Sequence, residues 1–140
     1  MIEIESFGVM PVQFQEGTWK IFLILHKQGN HWSFPKGRAD PGESPRQSAM
    51  RELKEETGLD VIRFIQEEPL IEHYTFRRKT EWISKRVYYY AAEVGGEVQL
   101  QADEIREGKW ITFPEALQAL TFKEGKALCH QLMKTLHISV

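Results

Sequence analysis

The chain has 140 residues, a hydrophobic fraction of 41%, a charged fraction of 27% and a formal net charge of -2; this suits one globular domain over 1–140 and excludes a disordered chain or a long repeat array. Near-neutral charge provides no bulk positive field for nucleic acid or anionic lipid, so any polyanion has to be met by a local cluster. The single cysteine, Cys129, rules out an intramolecular disulfide, and the acidic start Met1-Ile2-Glu3-Ile4-Glu5 lacks the basic and then apolar order of a signal peptide; a cytoplasmic monomer that neither enters nor spans a membrane is expected.

Residues 3 to 13 alternate apolar and polar side chains, and Trp19 to Leu25 is a near-continuous apolar run, with Gln15-Glu16-Gly17 between them as a hairpin loop. Two antiparallel strands therefore open the fold. The turn Lys27-Gln28-Gly29-Asn30 leads to a short aromatic stretch, His31 to Phe34, and then to a loop carrying Pro35, Gly37, Pro41 and Gly42. Ser44 or Pro45 starts a helix that stops at Thr57-Gly58, with proline in the first turn and glycine just past the end. Leu59 to Ile65, Glu72 to Arg78 and Arg86 to Val94 read as strands, Gly95-Gly96 as a turn and Lys109 to Thr112 as a short closing strand. Pro114 to Leu120 and Lys123 to Leu136 read as helices, the second with a stripe of Leu128, Leu132 and Leu136. The order implies an α/β (α+β) fold, a mixed sheet with helices packed on it.

The chemistry concentrates on the first helix. At about 100° per residue, Glu55 and Glu56 lie about 60° and 40° to either side of Glu52, so three carboxylates share one face of roughly 100°. Their mutual repulsion is relieved by a cation, and oxygen-only ligands point to Mg²⁺, or Mn²⁺, which also accept phosphate oxygens. Ala49, Met50 and Leu53 form the adjoining face that packs on the sheet.

Gly37, five residues, Glu43, seven residues, then Arg51-Glu52-Leu53-x-Glu55-Glu56-x-Gly58-Leu59 resembles the Nudix box at every defined position. At average residue frequencies such a match arises by chance less than about once in a million chains of this length. The resemblance implies hydrolysis of a nucleoside diphosphate linked to another moiety, in an αβα sandwich around a central mixed β-sheet. It also implies that Glu52 and Glu56 are the chief metal ligands, that Glu55 is a further ligand or water-organising group, and that the Gly37 carbonyl joins them. Arg51 would pair with Glu43 or Glu55 and fix their orientation.

Outside the box, three segments resemble the asymmetrical diadenosine tetraphosphate hydrolases. Trp32-Ser33-Phe34-Pro35-Lys36-Gly37 is similar to their Trp-x-x-Pro-Lys-Gly motif, which implies that Lys36 approaches the polyphosphate. Lys85 to Glu93 resembles the strand after the box, with Tyr89 on the opposite face from Tyr88 and Tyr90 and able to stack on a base. Leu120-Thr121-Phe122-Lys123-Glu124 resembles the segment before the last helix, where Phe122 would cover the base and Lys123 would reach substrate. The hairpin from Tyr74 to Arg86 adds a basic cluster that includes Lys85, His73 is a candidate for the cleft, and Glu104 matches a glutamate that reaches back to the metals and ranks first as general base, with Glu52 and Glu55 as the alternatives. Arg38 departs from the family's usual histidine. These features predict cleavage of diadenosine tetraphosphate to ATP and AMP; the alternatives are RNA 5′-end pyrophosphate removal, hydrolysis of another nucleoside diphosphate derivative, and a non-catalytic nucleotide-binding module, the last disfavoured because every metal carboxylate is present.

Overall fold

A computed structural model describes residues 1–139. Strands β1 (Ile2–Gln15) and β2 (Thr18–His26) form the expected hairpin, closed by Glu16 and Gly17 at φ of 51° and 80°. Two consecutive residues with positive φ give the tight turn the twist of an antiparallel pair. The two-residue strands β3 (Trp32–Ser33) and β4 (Lys36–Gly37) follow, then α1 (Pro45–Thr57). Ser44 caps α1 in a reciprocal box with Gln47, and Gly58 ends it at φ 80°, so local chemistry sets both boundaries. Then come β5 (Asp60–Phe64), β6 (Leu70–Arg78), β7 (Glu81–Gly95), β8 (Ile105–Thr112), α2 (Phe113–Ala119) and α3 (Lys123–Thr135).

The sheet runs β3-β2-β1-β7-β5, with β4 on β1, β6 on β7 and β8 on β2. It is mixed because β1 and β7 run parallel, from Ile2↔Ile83 to Val12↔Glu93, while the other pairs are antiparallel. One face buries Met10, Leu23, Phe34, Tyr89, Leu128 and Leu132 under α2 and α3; the other buries Val9, Phe22, Ala49, Leu53 and Tyr90 against α1. The arrangement is the αβα sandwich that the family resemblance implies.

Two strands start well before their local patterns predict. In β8, which starts at Ile105 and not Lys109, Gly108 reads as a strand breaker, but a Cβ there would meet the Phe22 ring at 2.6 Å. Packing selects that glycine. In β7, which starts at Glu81 and not Arg86, the first residues pair with β6, and their exposure does not alternate, since Glu81 and Trp82 are both exposed and Ile83 and Ser84 both buried. Met50 is 37% exposed at the margin of the apolar stripe of α1, whereas Ala49 and Leu53 are fully buried as expected.

The feature that creates the site is a split in the sheet. β1 and β2 pair only from Val12↔Ile21 to Gln15↔Thr18 and then part; β1 turns to β4 (Phe7↔Gly37, Gly8↔Lys36) and β2 to β3 (Ile24↔Ser33, Leu25↔Trp32). The segment from Trp32 to Gly37 is wedged into the gap, and the Val9 N–H donates to the Pro35 carbonyl at 3.2 Å. Gly8 permits this closeness: a Cβ there would fall on the Pro35 carbonyl oxygen and lie 2.8 Å from Lys36 Cβ and 2.9 Å from Tyr89 Cε1. Gly8→Ala should therefore lower stability by about 2 to 4 kcal/mol, seen in calorimetry as a melting point about 7 to 14 °C lower. An unchanged melting point would show that the wedge is loose.

Candidate active site

Helix α1 presents its carboxylates toward β4. Glu56, only 4% exposed, accepts a hydrogen bond from the Lys36 backbone N–H at 3.3 Å. Burial, then the hydrogen bond and charge of Glu52, raise its carboxyl far above the ordinary range. At Gly37 a Cβ would fall on the Glu52 carboxylate, so a side chain there would push that carboxylate out of its present place. Two carboxylates thus face a bare stretch of backbone, an all-oxygen set that fits a hard divalent cation.

Arg51 organises the rest. Its Nε donates to Glu43 Oε2 at 2.8 Å, its Nη1 to Glu52 Oε1 at 2.9 Å and to Glu55 Oε2 at 3.1 Å, and its Nη2 to the Arg38 carbonyl at 2.8 Å. Both partners anticipated for Arg51, Glu43 and Glu55, are engaged at once. The guanidinium, the Asp40 backbone N–H and the Ser48 hydroxyl hold Glu43 down to about 2, so it stays ionised. Glu55 lies on Arg51, half-exposed, and among the described residues no three acidic, histidine or cysteine side chains converge on one ion-sized point.

Beyond β4, a cavity of about 430 Å³ opens between the Trp32–Lys36 segment, β6, β7 and the start of α3. Lys36 and Lys85 line it, and burial followed by the charge of Lys36 lowers the Lys85 ammonium to about 8. Trp32 and Phe122 line it as well. Phe122 is 54% exposed and tilts against His31 at a centroid distance of 5.4 Å. Lys109 Nζ covers the Trp32 ring at 4.4 Å, which leaves Phe122 as the more open of the two.

Tyr89 lies on the face expected, opposite Tyr88 and Tyr90, but is only 1% exposed and meets Phe34 edge-on. Its ring floors the cavity and offers no open stacking surface. His73 is outside the cavity: strand alternation turns it away from Glu72 and Tyr74, and its Nε2 bonds the Ser84 hydroxyl at 2.8 Å. Lys123 is exposed at the start of α3, while its neighbours Phe122 and Glu124 line the cavity. Glu104 belongs to an adjoining cavity of about 420 Å³, which shares His31 and Lys36 with the first. There His26 stacks on His31 at 4.5 Å, and burial followed by the charges of His31 and Lys36 lowers its imidazole to about 4, keeping it neutral.

Sequence reasoning missed His31, Glu72, Tyr74 and Glu124 as cavity residues. Two of them carried a usable signal, because the hairpin pairing of Tyr74 with Lys85 puts Glu72 and Tyr74 on the Lys85 face.

The NUDIX domain model matches residues 5–131. The mouse asymmetrical bis(5′-nucleosyl)-tetraphosphatase is 36% identical over 123 residues, covering 82% of this chain and 79% of that protein. The RNA pyrophosphohydrolase of a Nitratiruptor species is 33% identical over 103 residues, covering 65% of this chain and 64% of that one. Among solved structures, the binary complex of a C. elegans Ap4A hydrolase superposes with a TM-score of 0.74 at 24% identity, covering 96% of this chain and 98% of its own.

Proposed function

The chain belongs to the NUDIX family of hydrolases, and from that premise we propose that it is a single-domain, metal-dependent dinucleoside polyphosphate hydrolase that converts diadenosine tetraphosphate to ATP and AMP. The observation that carries this reading is Lys36, whose backbone N–H holds Glu56 while its side chain lines the aromatic cavity. One residue thereby joins the acidic helix to a pocket of nucleotide size. The mouse tetraphosphatase supports the substrate class.

Glu52, Glu56 and the Gly37 carbonyl would hold Mg²⁺, with Mn²⁺ as substitute and Glu55 as a further ligand. When bound, such ions neutralise charge on bridging phosphate oxygens and lower the pKa of the attacking water. Lys36 and Lys85 hold the polyphosphate. Phe122 covers the base. Glu104 takes a proton from the water as it attacks phosphorus and the P–O bond to the departing ATP breaks. Backbone hydrogen bonds hold the loop that carries this base, since the Lys27 N–H donates to the Glu104 carbonyl at 2.9 Å and the Glu104 N–H donates to the Gln101 carbonyl at 3.2 Å. Arg51 and Glu43 position the carboxylates.

Stacking on Phe122 predicts that Phe122→Ala raises KM about 5- to 100-fold with kcat nearly unchanged. Equal losses in both would remove Phe122 from ground-state binding. The reading as a whole is tested by incubating the protein and Mg²⁺ with diadenosine tetraphosphate and separating the products. Equal ATP and AMP are expected; two molecules of ADP overturn the cleavage position.

The Nitratiruptor relative favours a second reading, pyrophosphate removal from triphosphorylated RNA. That enzyme needs a basic track leading out of the site. Here Arg77, Arg78 and Lys79 lie at the exposed β6–β7 hairpin tip, with Arg77 over Trp82 at 5.8 Å. Brisk phosphate release from RNA without dinucleotide cleavage would select this alternative. Among the described residues no helix is long and apolar enough to cross a membrane. We read the protein as a cytoplasmic monomer, a setting that suits the buried thiol of Cys129, which burial pushes up to about 12.

A further inference from the structure

The cavity that receives the anionic substrate contains a carboxylate to which the hydrolytic mechanism gives no role. Glu72 lies on the face of β6 that lines this cavity, directly opposite Val87, with Lys85 and Tyr89 as its diagonal neighbours across the hairpin and Tyr74 next on the same strand face. Across the cavity, α3 brings Glu124 to the other wall, two residues from Phe122. Glu72 is half-buried; desolvation raises its carboxyl, Lys36 and Lys85 pull it down, and Glu124 pushes it up. None of the ion pairs within 4 Å among the described residues includes Glu72, Lys36 or Lys85. A partly dry carboxylate without a contacting cation is costly, and a ligand that brings hydrogen-bond donors removes the cost.

Its neighbours select the donor. Lys36 and Lys85 are the cations lining the cavity, suited to phosphate, and Phe122 and Trp32 are aromatic rings in the same lining, suited to a base. Glu72 is within electrostatic reach of both lysines and of Glu124, which follows Phe122 by two residues at the start of α3. In a nucleotide the group joining phosphate to base is the ribose, whose neighbouring 2′- and 3′-hydroxyls suit the two oxygens of one carboxylate. We infer that Glu72 is a specificity residue, accepting hydrogen bonds from the ribose hydroxyls of the nucleoside in this cavity and selecting ribonucleotides over deoxyribonucleotides. The inference rests on the hydrolase reading for the nature of its ligand.

The test compares ATP, the proposed product, with 2′,3′-dideoxy-ATP by titration calorimetry on the full chain with Mg²⁺. The wild type should bind ATP about tenfold more tightly, in line with charge-assisted hydrogen bonds. In Glu72→Leu the two affinities should agree within about twofold, and in Glu72→Gln, which keeps the shape, the preference should fall to about threefold. The ratio is the readout, since removing a negative charge tightens both anions and a packing defect weakens both. Equal binding by the wild type, or a preference that survives Glu72→Leu, overturns the inference. If diadenosine tetraphosphate is not cleaved but the ribose preference exists and depends on Glu72, the dinucleoside tetraphosphate reading falls and this one stands. Failure of ATP to bind overturns both.

Discussion

Glu56→Gln should lower kcat about a thousandfold, equivalent to about 4 kcal/mol of transition-state stabilisation, while leaving the fold intact. Glu56 is buried beside Glu52 and its carboxylate accepts a hydrogen bond from the Lys36 N–H, an interaction that the amide oxygen of glutamine can replace. What glutamine cannot supply is the negative charge that divalent-ion binding requires. Normal turnover by the variant would remove Glu56 from the metal site.

The same substitution carries a pH signature. Burial, with the neighbouring Glu52, raises the Glu56 carboxyl from 4.5 to about 9. Between those values the metal-free folded protein retains a proton that the unfolded chain releases. Stability from this group is therefore full below the unfolded value and is lost as pH rises through the window. Metal-free wild type should melt at progressively lower temperature from about pH 5 to about pH 9, whereas Glu56→Gln should show a much flatter profile. Saturating Mg²⁺ should raise the wild-type melting point most at the alkaline end, because binding stabilises the ionised form. Parallel profiles for the two proteins would mean that Glu56 ionises normally.

Arg51→Ala should reduce kcat about 100-fold and raise the Mg²⁺ concentration needed for half-maximal activity. Arg51 touches no reacting atom; it is a positioning residue whose fork spans Glu43, Glu52, Glu55 and the Arg38 carbonyl. Arg51→Lys should recover little, because a single ammonium cannot reproduce three planar donors aimed in different directions. Full recovery in the lysine variant would reduce the role of Arg51 to its charge.

The parts of this fold legible in the sequence are those decided within a few residues. Ser44, Gln47 and Gly58 cap α1 by local bonds, so its ends follow from composition. The carboxylate array is legible for the same reason, since helical spacing alone puts Glu52, Glu55 and Glu56 together. Residues placed by distant partners are not. Gly108 begins to make sense only against Phe22, and the depth of Tyr89 depends on the Phe34 loop that covers it. His73 shows how narrow the margin is: one position from Tyr74, it faces the other side of the sheet and bonds Ser84. The cavity joins side chains from four separate segments, and no local pattern reports that convergence.

Lys36 divides its labour within a single residue. Its backbone is fixed by the pairing of β4 with β1 and by Glu56, whereas its ammonium faces Lys85 at the cavity. Chemistry and choice of substrate are thus inherited through different atoms. Substitutions at this position can retune which nucleotide is accepted while the peptide plane that anchors the acidic helix stays the same, a form of modularity at the scale of one amino acid.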